Sequence, residues 1–157
     1  MPGSDRPGIG VMLHMIFDGG EETHAALIAA GSKKIASICL DQNHQHWSED
    51  NLVFRFDDGS GIRLYDDGQS CCEHRYMTTD DDFQAFVGAK FIEATKQSAA
   101  NQPDEWGEHE VAFLVVMTSL GAFTVETHNE HNGYYGGFWL VARKLEAEDA
   151  EKEAADD

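Results

Sequence analysis

With 157 residues, 29 of them acidic and 11 basic, the chain carries a formal net charge of −18; 41% of its residues are apolar and 10% aromatic. This length suits one domain that buries about two thirds of its surface, and no apolar run reaches the roughly 20 residues a membrane-spanning helix needs. So acidic a field repels nucleic acid and anionic membranes, which leaves basic proteins and small molecules as expected partners.

Residues 1–20 contain five glycines and no sustained hydrophobic period, so they are expected to form a flexible arm ahead of a single domain over 21–144. Within the arm, residues 11–17 are apolar but broken by His14, and no small-residue cleavage site follows. No secretion signal is therefore read, and the cytoplasm is the expected compartment. Three cysteines, Cys39, Cys71 and Cys72, are too few for a disulfide scaffold and are expected to be reduced. Residues 21–30 combine helix formers, acids in the first turn and Gly31 as a stop, which predicts a short helix. Residues 34–40 read as a strand. Leu52, Phe54 and Phe56 alternate with Val53 and Arg55, residues 57–61 turn the chain, and Ile62 and Leu64 resume the alternation, which predicts a β-hairpin.

After a second turn at Asp66-Asp67-Gly68-Gln69, residues 70–76 fit a third strand. Asp80, Asp81 and Asp82 are placed to cap one helical turn from Phe83 to Phe86. Residues 88–95 read as a strand and 101–107, containing Pro103, as a loop. Residues 110–118 are nearly all apolar, the pattern of a central strand covered on both faces. Ser119-Leu120-Gly121 turns into a strand over 122–131, and Asn132-Gly133 suits a tight type I′ turn that returns the chain over 134–143. Residues 145–157 carry seven acids and one lysine, the composition of an acidic disordered or helical tail, and without them the charge is −12. The expected fold is α+β but mostly β: an antiparallel two-layer or barrel-like sheet of about seven strands with one or two short helices.

The string from His128 to Gly137 holds the densest chemistry. If Asn132 and Gly133 form the turn, Phe123, Val125 and Thr127 face Ala142, Leu140 and Phe138 as a core row. Thr124, Glu126, His128 and Glu130 then face Val141, Trp139, Gly137 and Tyr135 on the other side. Glycines at 136 and 137 leave space beside His128, either for a bulge or for a shallow cavity walled by Tyr134, Tyr135 and Trp139. The expected ligand site is therefore Glu126, His128, Glu130, His131, Tyr134, Tyr135, Gly136, Gly137 and Trp139, with Cys72 and Glu73. His128 and His131 project to opposite faces of a regular strand, so they do not form a metal pair unless the loop is looser, when Cys71, Cys72, Glu73 or His74 would complete a zinc-like site. Neither a metal nor a cofactor is expected. A nucleophilic thiol at Cys71 or Cys72 would need a base such as His74 or His128; a packing role is the simpler reading. The histidines of Asn43-His44-Gln45-His46-Trp47 read as part of an exposed loop anchored by Trp47.

The strings Asp67-Gly68-Gln69-Ser70-Cys71-Cys72-Glu73-x-Arg75-Tyr76, Thr118-Ser119-x-Gly121-x-Phe123-Thr124-Val125 and His128-Asn129-Glu130-His131-Asn132-Gly133-Tyr134-Tyr135-Gly136-Gly137-Phe138 resemble an uncharacterised family of small bacteriophage and actinobacterial proteins. The resemblance spans about residues 34–143 and implies a small accessory protein of the bacterial cytoplasm, with no activity or catalytic residue to transfer. Three functions compete. The first is a non-catalytic binding module in which the 128–137 hairpin and the 71–76 segment form a pocket or docking edge for a host protein or small ligand; an exposed sheet edge would also allow a homodimer. The second is a metal- or thiol-dependent, hydrolase-like enzyme at the same site, which lacks any phosphate-loop, nucleophile-elbow or dinucleotide signature. The third is an acidic mimic of nucleic acid, resting on charge alone.

Overall fold

The computed structural model describes residues 18, 20–42, 49–68, 73–98, 102–104, 107–131 and 137–146. Most of the expected arm and tail lies outside these residues, as do Cys71, Cys72, the 43–47 loop, Tyr134, Tyr135, Gly136 and the Asn132-Gly133 dipeptide. Among the described residues, helix α1 (Gly20–Ala30) precedes strands β1 (Ile35–Asp41), β2 (Asn51–Phe56), β3 (Gly61–Asp66) and β4 (Glu73–Thr78). A single 3-10 turn (Phe83–Phe86) leads to β5 (Phe91–Ser98), β6 (Gln102–Asp104), β7 (Gly107–Thr118), β8 (Gly121–His131) and β9 (Leu140–Leu145). The strands form two antiparallel sheets, β1-β2-β3-β9 and β4-β8-β7-β5, with the short β6 beside β7. The mostly-β, two-layer expectation therefore holds, while the barrel alternative does not: each sheet is open, and eight strands rather than seven lie along the two main paths.

Local chemistry explains most elements. Thr23, Ala26, Leu27 and Ala30 are the buried residues of α1 and fall on one helical stripe. That stripe packs on β9, where the Ala142 amide donates to Thr23 Oγ1 at 3.2 Å. The predicted β2–β3 hairpin is present with Leu52 opposite Leu64 and Phe54 opposite Ile62. Gly59 takes the positive φ of +90° that its turn demands. Asp82 caps the 3-10 turn by accepting from the Gln84 amide at 3.0 Å.

Three expectations need correction. The segment around Pro103 is a strand, not only a loop; it lies at a sheet edge, where a residue without an N–H is tolerated. Strand β7 is covered on one face only: Ala112, Leu114, Val116 and Thr118 are buried, whereas Val111, Phe113 and Val115 are half-exposed and Met117 is 39% exposed. The third concerns the assumed 122–143 hairpin. Strand β8 is flanked by β4 and β7, so both of its edges are taken, and β9 crosses to the free edge of β3 in the other sheet. Most of the expected core row survives because alternation sets it: Phe123, Val125, Thr127, Leu140 and Ala142 are buried, while Phe138 is partly buried and Val141, expected on the other face, is buried too.

The core lies between the sheets. Phe54 packs edge-on to Phe91 with centroids 5.3 Å apart and lies 6.1 Å from Phe123, so rings from β2, β5 and β8 meet at one point. Phe83 and Phe86 close over Phe123 at 5.2 and 5.0 Å. Because Phe54 is fully buried and joins both layers, Phe54→Ala should destabilise the fold by about 3–5 kcal/mol in denaturant unfolding. A loss below about 1 kcal/mol would mean that the sheets do not meet at this ring.

Candidate functional site

Strand β8 is shared by two polar clusters, one on each face. Alternation sends Thr127, Asn129 and His131 toward the other sheet and Glu126, His128 and Glu130 outward. On the flanking strands, the register sets Tyr76 and Val111 beside His128, His74 and His109 beside Glu130, and Thr78 and Phe113 beside Glu126. The outer face thus collects His74, Tyr76, Thr78, His109, Glu126, His128 and Glu130 from three strands.

These side chains form connected chains of contacts. The rings of Tyr76 and His128 stack at 4.5 Å with 5° between planes, and the His74 ring lies 4.8 Å from that of Tyr76. The Tyr76 hydroxyl donates to Glu130 Oε2 at 2.5 Å. Burial, then the Glu130 carboxylate, pushes the Tyr76 phenol up to about 12, so it remains a donor. His128 Nε2 lies 2.9 Å from Thr78 Oγ1 and 3.4 Å from Glu126 Oε1, while its Nδ1 lies 3.0 Å from His109 Nε2. Thr78 Oγ1 in turn donates to Glu126 Oε1 at 3.3 Å. One proton arrangement satisfies every group, including the charged acceptor: His109 Nε2–H donates to His128 Nδ1, His128 Nε2–H to Thr78, and Thr78 to Glu126. Burial, followed by the neighbouring His109, holds His128 below the usual histidine value, against the pull of Glu126 and Glu130. His128 is therefore neutral at neutral pH.

The inward cluster is structural in its geometry. Arg75, with a side chain 7% exposed, donates from Nη1 to both oxygens of Asp66 at 2.9 and 2.8 Å. Its Nε and Nη2 donate to Glu73 at 3.0–3.1 Å. Asp66 Oδ1 also accepts the backbone N–H groups of Gly68 and Trp139, each at 3.0 Å. A Cβ on Gly68 would come within 2.6 Å of Arg75 Nη1, so only glycine lets the backbone pass the guanidinium. Glu110 Oε1 accepts from His131 Nε2 at 2.9 Å and from the Gly137 amide at 2.7 Å, and Asn129 Nδ2 donates to the Gly137 carbonyl at 3.0 Å. Together these bonds hold residues 137–139 against the end of the core.

The expected site therefore divides. Glu126, His128 and Glu130 share the outer face as expected, and His128 and His131 do point to opposite faces. Glu73 and His131 belong to the inward cluster instead, because both have inward parity. Gly137 faces Glu110 and Asn129 rather than His128, and Trp139, 51% exposed, lies on the segment entering β9, away from Glu126. Both follow from β9 pairing with β3. Cys72, Tyr134, Tyr135 and Gly136 lie outside the described residues. Tyr76, from the expected 71–76 segment, joins the outer cluster, as do Thr78 and His109, which the sequence reading leaves out; the alternation of His74, Tyr76 and Thr78 against Arg75 and Met77 is the available signal for Thr78.

The depressed His128 sets a pH dependence. A base whose folded-state pKa lies below its unfolded value near 6.5 takes up its proton more readily in the unfolded chain. Its contribution is intact above that value and is lost as pH falls below it. Unfolding free energy should drop between about pH 7 and pH 5, at up to about 1.4 kcal/mol per pH unit, and His128→Gln should flatten the slope. Equal slopes in the two proteins would contradict the assignment.

No curated protein and no solved structure matches the chain. One family model does, over residues 30–141, which takes in every strand up to the start of β9 and all the residues of both clusters. The chain belongs to the family described as Domain of unknown function (DUF7448).

Proposed function

We propose that the chain is a non-catalytic binding module whose contact surface is the outer face of β4, β8 and β7, and that its partner is a protein bringing basic side chains. The observation that carries this reading is the outer face of β7. A strand with one face in water ordinarily alternates apolar with polar residues. Here Val111, Phe113, Val115 and Met117 stand in one outward row, and Ile92 on β5, 46% exposed, extends the apolar patch. Glu126 and Glu130 lie directly beside that row, on β8. An apolar strip rimmed by carboxylates is the form of a protein-docking surface, and the sign of its rim selects cationic partners.

A role as an accessory protein of the bacterial cytoplasm, acting on a host protein, rests on the resemblance of the 67–76, 118–125 and 128–138 strings alone. The third competing idea, mimicry of nucleic acid, draws on the same net charge but leaves the apolar row without a use.

Selection of displayed peptides on the full chain tests the reading. Recovered peptides should be rich in Lys and Arg together with an apolar anchor. Val115→Thr should weaken their binding about tenfold through the lost apolar contact, and Glu126→Gln with Glu130→Gln should weaken it and reduce its salt dependence. Acidic or purely polar peptides, or affinities unmoved by both sets of changes, would overturn it.

A further inference from the structure

The two histidines of the outer face share one hydrogen bond, nitrogen to nitrogen. His109 on β7 and His128 on β8 are diagonal neighbours, since His109 lies opposite Glu130 and His128 opposite Val111. Their rings bring Nε2 of one and Nδ1 of the other to 3.0 Å. Two imidazole nitrogens bound at right angles on one ion, each at about 2.0–2.1 Å, lie about 2.8–3.0 Å apart; on a tetrahedral ion they lie about 3.3–3.4 Å apart. The hydrogen-bonded spacing in the metal-free protein is also that of the right-angled pair, the arrangement favoured by Cu(II) and Ni(II) with nitrogen and oxygen ligands, so an ion could take the place of the shared proton with little change in nitrogen separation.

The surroundings are those of a supported ligand. A metal-binding histidine ordinarily gives its second ring N–H to a carboxylate or other acceptor, which fixes the tautomer and orients the ring. His128 does this through Nε2, which reaches Thr78 Oγ1 at 2.9 Å and, through it, Glu126. Its Nδ1 lone pair is thereby left toward His109. A tautomer shift on His109, from Nε2–H to Nδ1–H, frees the second nitrogen without loss of a proton to solvent. Tyr76 stacks on the other side of His128 and keeps its ring in place. Glu126 and Glu130 make the face negative, as does the net charge of −18. Among the described residues no group of three or more His, Cys, Asp and Glu side chains already surrounds a common point, so the protein would supply two ligands and water the rest.

We propose that His109 and His128 form a two-imidazole site for a divalent transition ion of right-angled coordination, Cu(II) or Ni(II), with Thr78 and Glu126 as positioning residues. The site belongs to the free protein and stands apart from the docking reading, because the ion binds with no partner present.

Copper(II) chloride titrated into the full chain at neutral pH, followed by calorimetry and electron paramagnetic resonance, tests it. A single high-affinity ion with the hyperfine pattern of two imidazole nitrogens is expected. His109→Gln and His128→Gln should each weaken binding more than tenfold and remove one nitrogen from the spectrum. Thr78→Val should weaken it about tenfold while both nitrogens remain. Zinc(II) should bind less tightly than copper(II). His109 is half-buried and its ring contact is peripheral to the core, so His109→Gln keeps the test valid if His128→Gln loses its far-ultraviolet circular dichroism. Absence of copper binding, a spectrum unchanged by His109→Gln, or a signal abolished by the double change His44→Gln and His46→Gln would each overturn the proposal.

Discussion

Arg75 sits between two carboxylates, one on its own strand and one on the neighbouring sheet, and nearly all of its guanidinium is out of water. Asp66 ends β3 and Glu73 begins β4, so this bidentate contact joins the two layers where the chain passes from one to the other. Two anions and one cation in a dry setting are tolerable only because nearly every oxygen has a donor. The amides of Gly68 and Trp139 on Asp66, and the Asn129 side chain on Glu73, supply the remainder. Removing one member of such a buried set costs about 3–5 kcal/mol, since the others are left uncompensated. The same contact sets the parity of β4. With Glu73 and Arg75 turned inward, His74, Tyr76 and Thr78 must face outward, and the outer cluster exists because the inner one does.

From this point the chemistry of the outer face follows by register. Tyr76 lands beside His128, and the β7–β8 turn at Ser119-Leu120 places His109 one diagonal step from His128. The result is a chain of donors that ends on Glu126 and a parallel one from Tyr76 to Glu130. Each proton in it has an acceptor, and burial beside His109 keeps the His128 ring neutral. A face built this way offers rings, an apolar row and negative charge to solvent at once.

Much of this was legible in the sequence, and the rest was not for identifiable reasons. The alternation of Leu52, Phe54 and Phe56 with Ile62 and Leu64, and of Phe123, Val125 and Thr127, states which side chains are buried, and all of these are. Alternation does not state which strand lies alongside. A tight Asn132-Gly133 turn would give the core residues of both strands one parity, but any antiparallel partner of the right parity does the same. Two facts were missing: that β8 already has two neighbours, and that Asp66 holds the Trp139 amide and so directs β9 to β3. The site divided for the same reason. Glu126, His128 and Glu130 share a face by spacing alone, whereas Tyr76, Thr78 and His109 join them through pairings about 20–50 residues apart in the chain, which no local pattern encodes.

The account depends on β8 lying between β4 and β7, with His128 against Tyr76 rather than Gly137. Proton–proton distances measured by nuclear magnetic resonance on labelled full chain test this most directly. Cross-peaks are predicted between the ring protons of Tyr76 and His128, whose centroids are 4.5 Å apart, and between the backbones of Met77 and Thr127. Cross-peaks instead joining His128 to Gly137, or Val125 to Leu140 across adjacent backbones, would show β8 paired with β9 and contradict it.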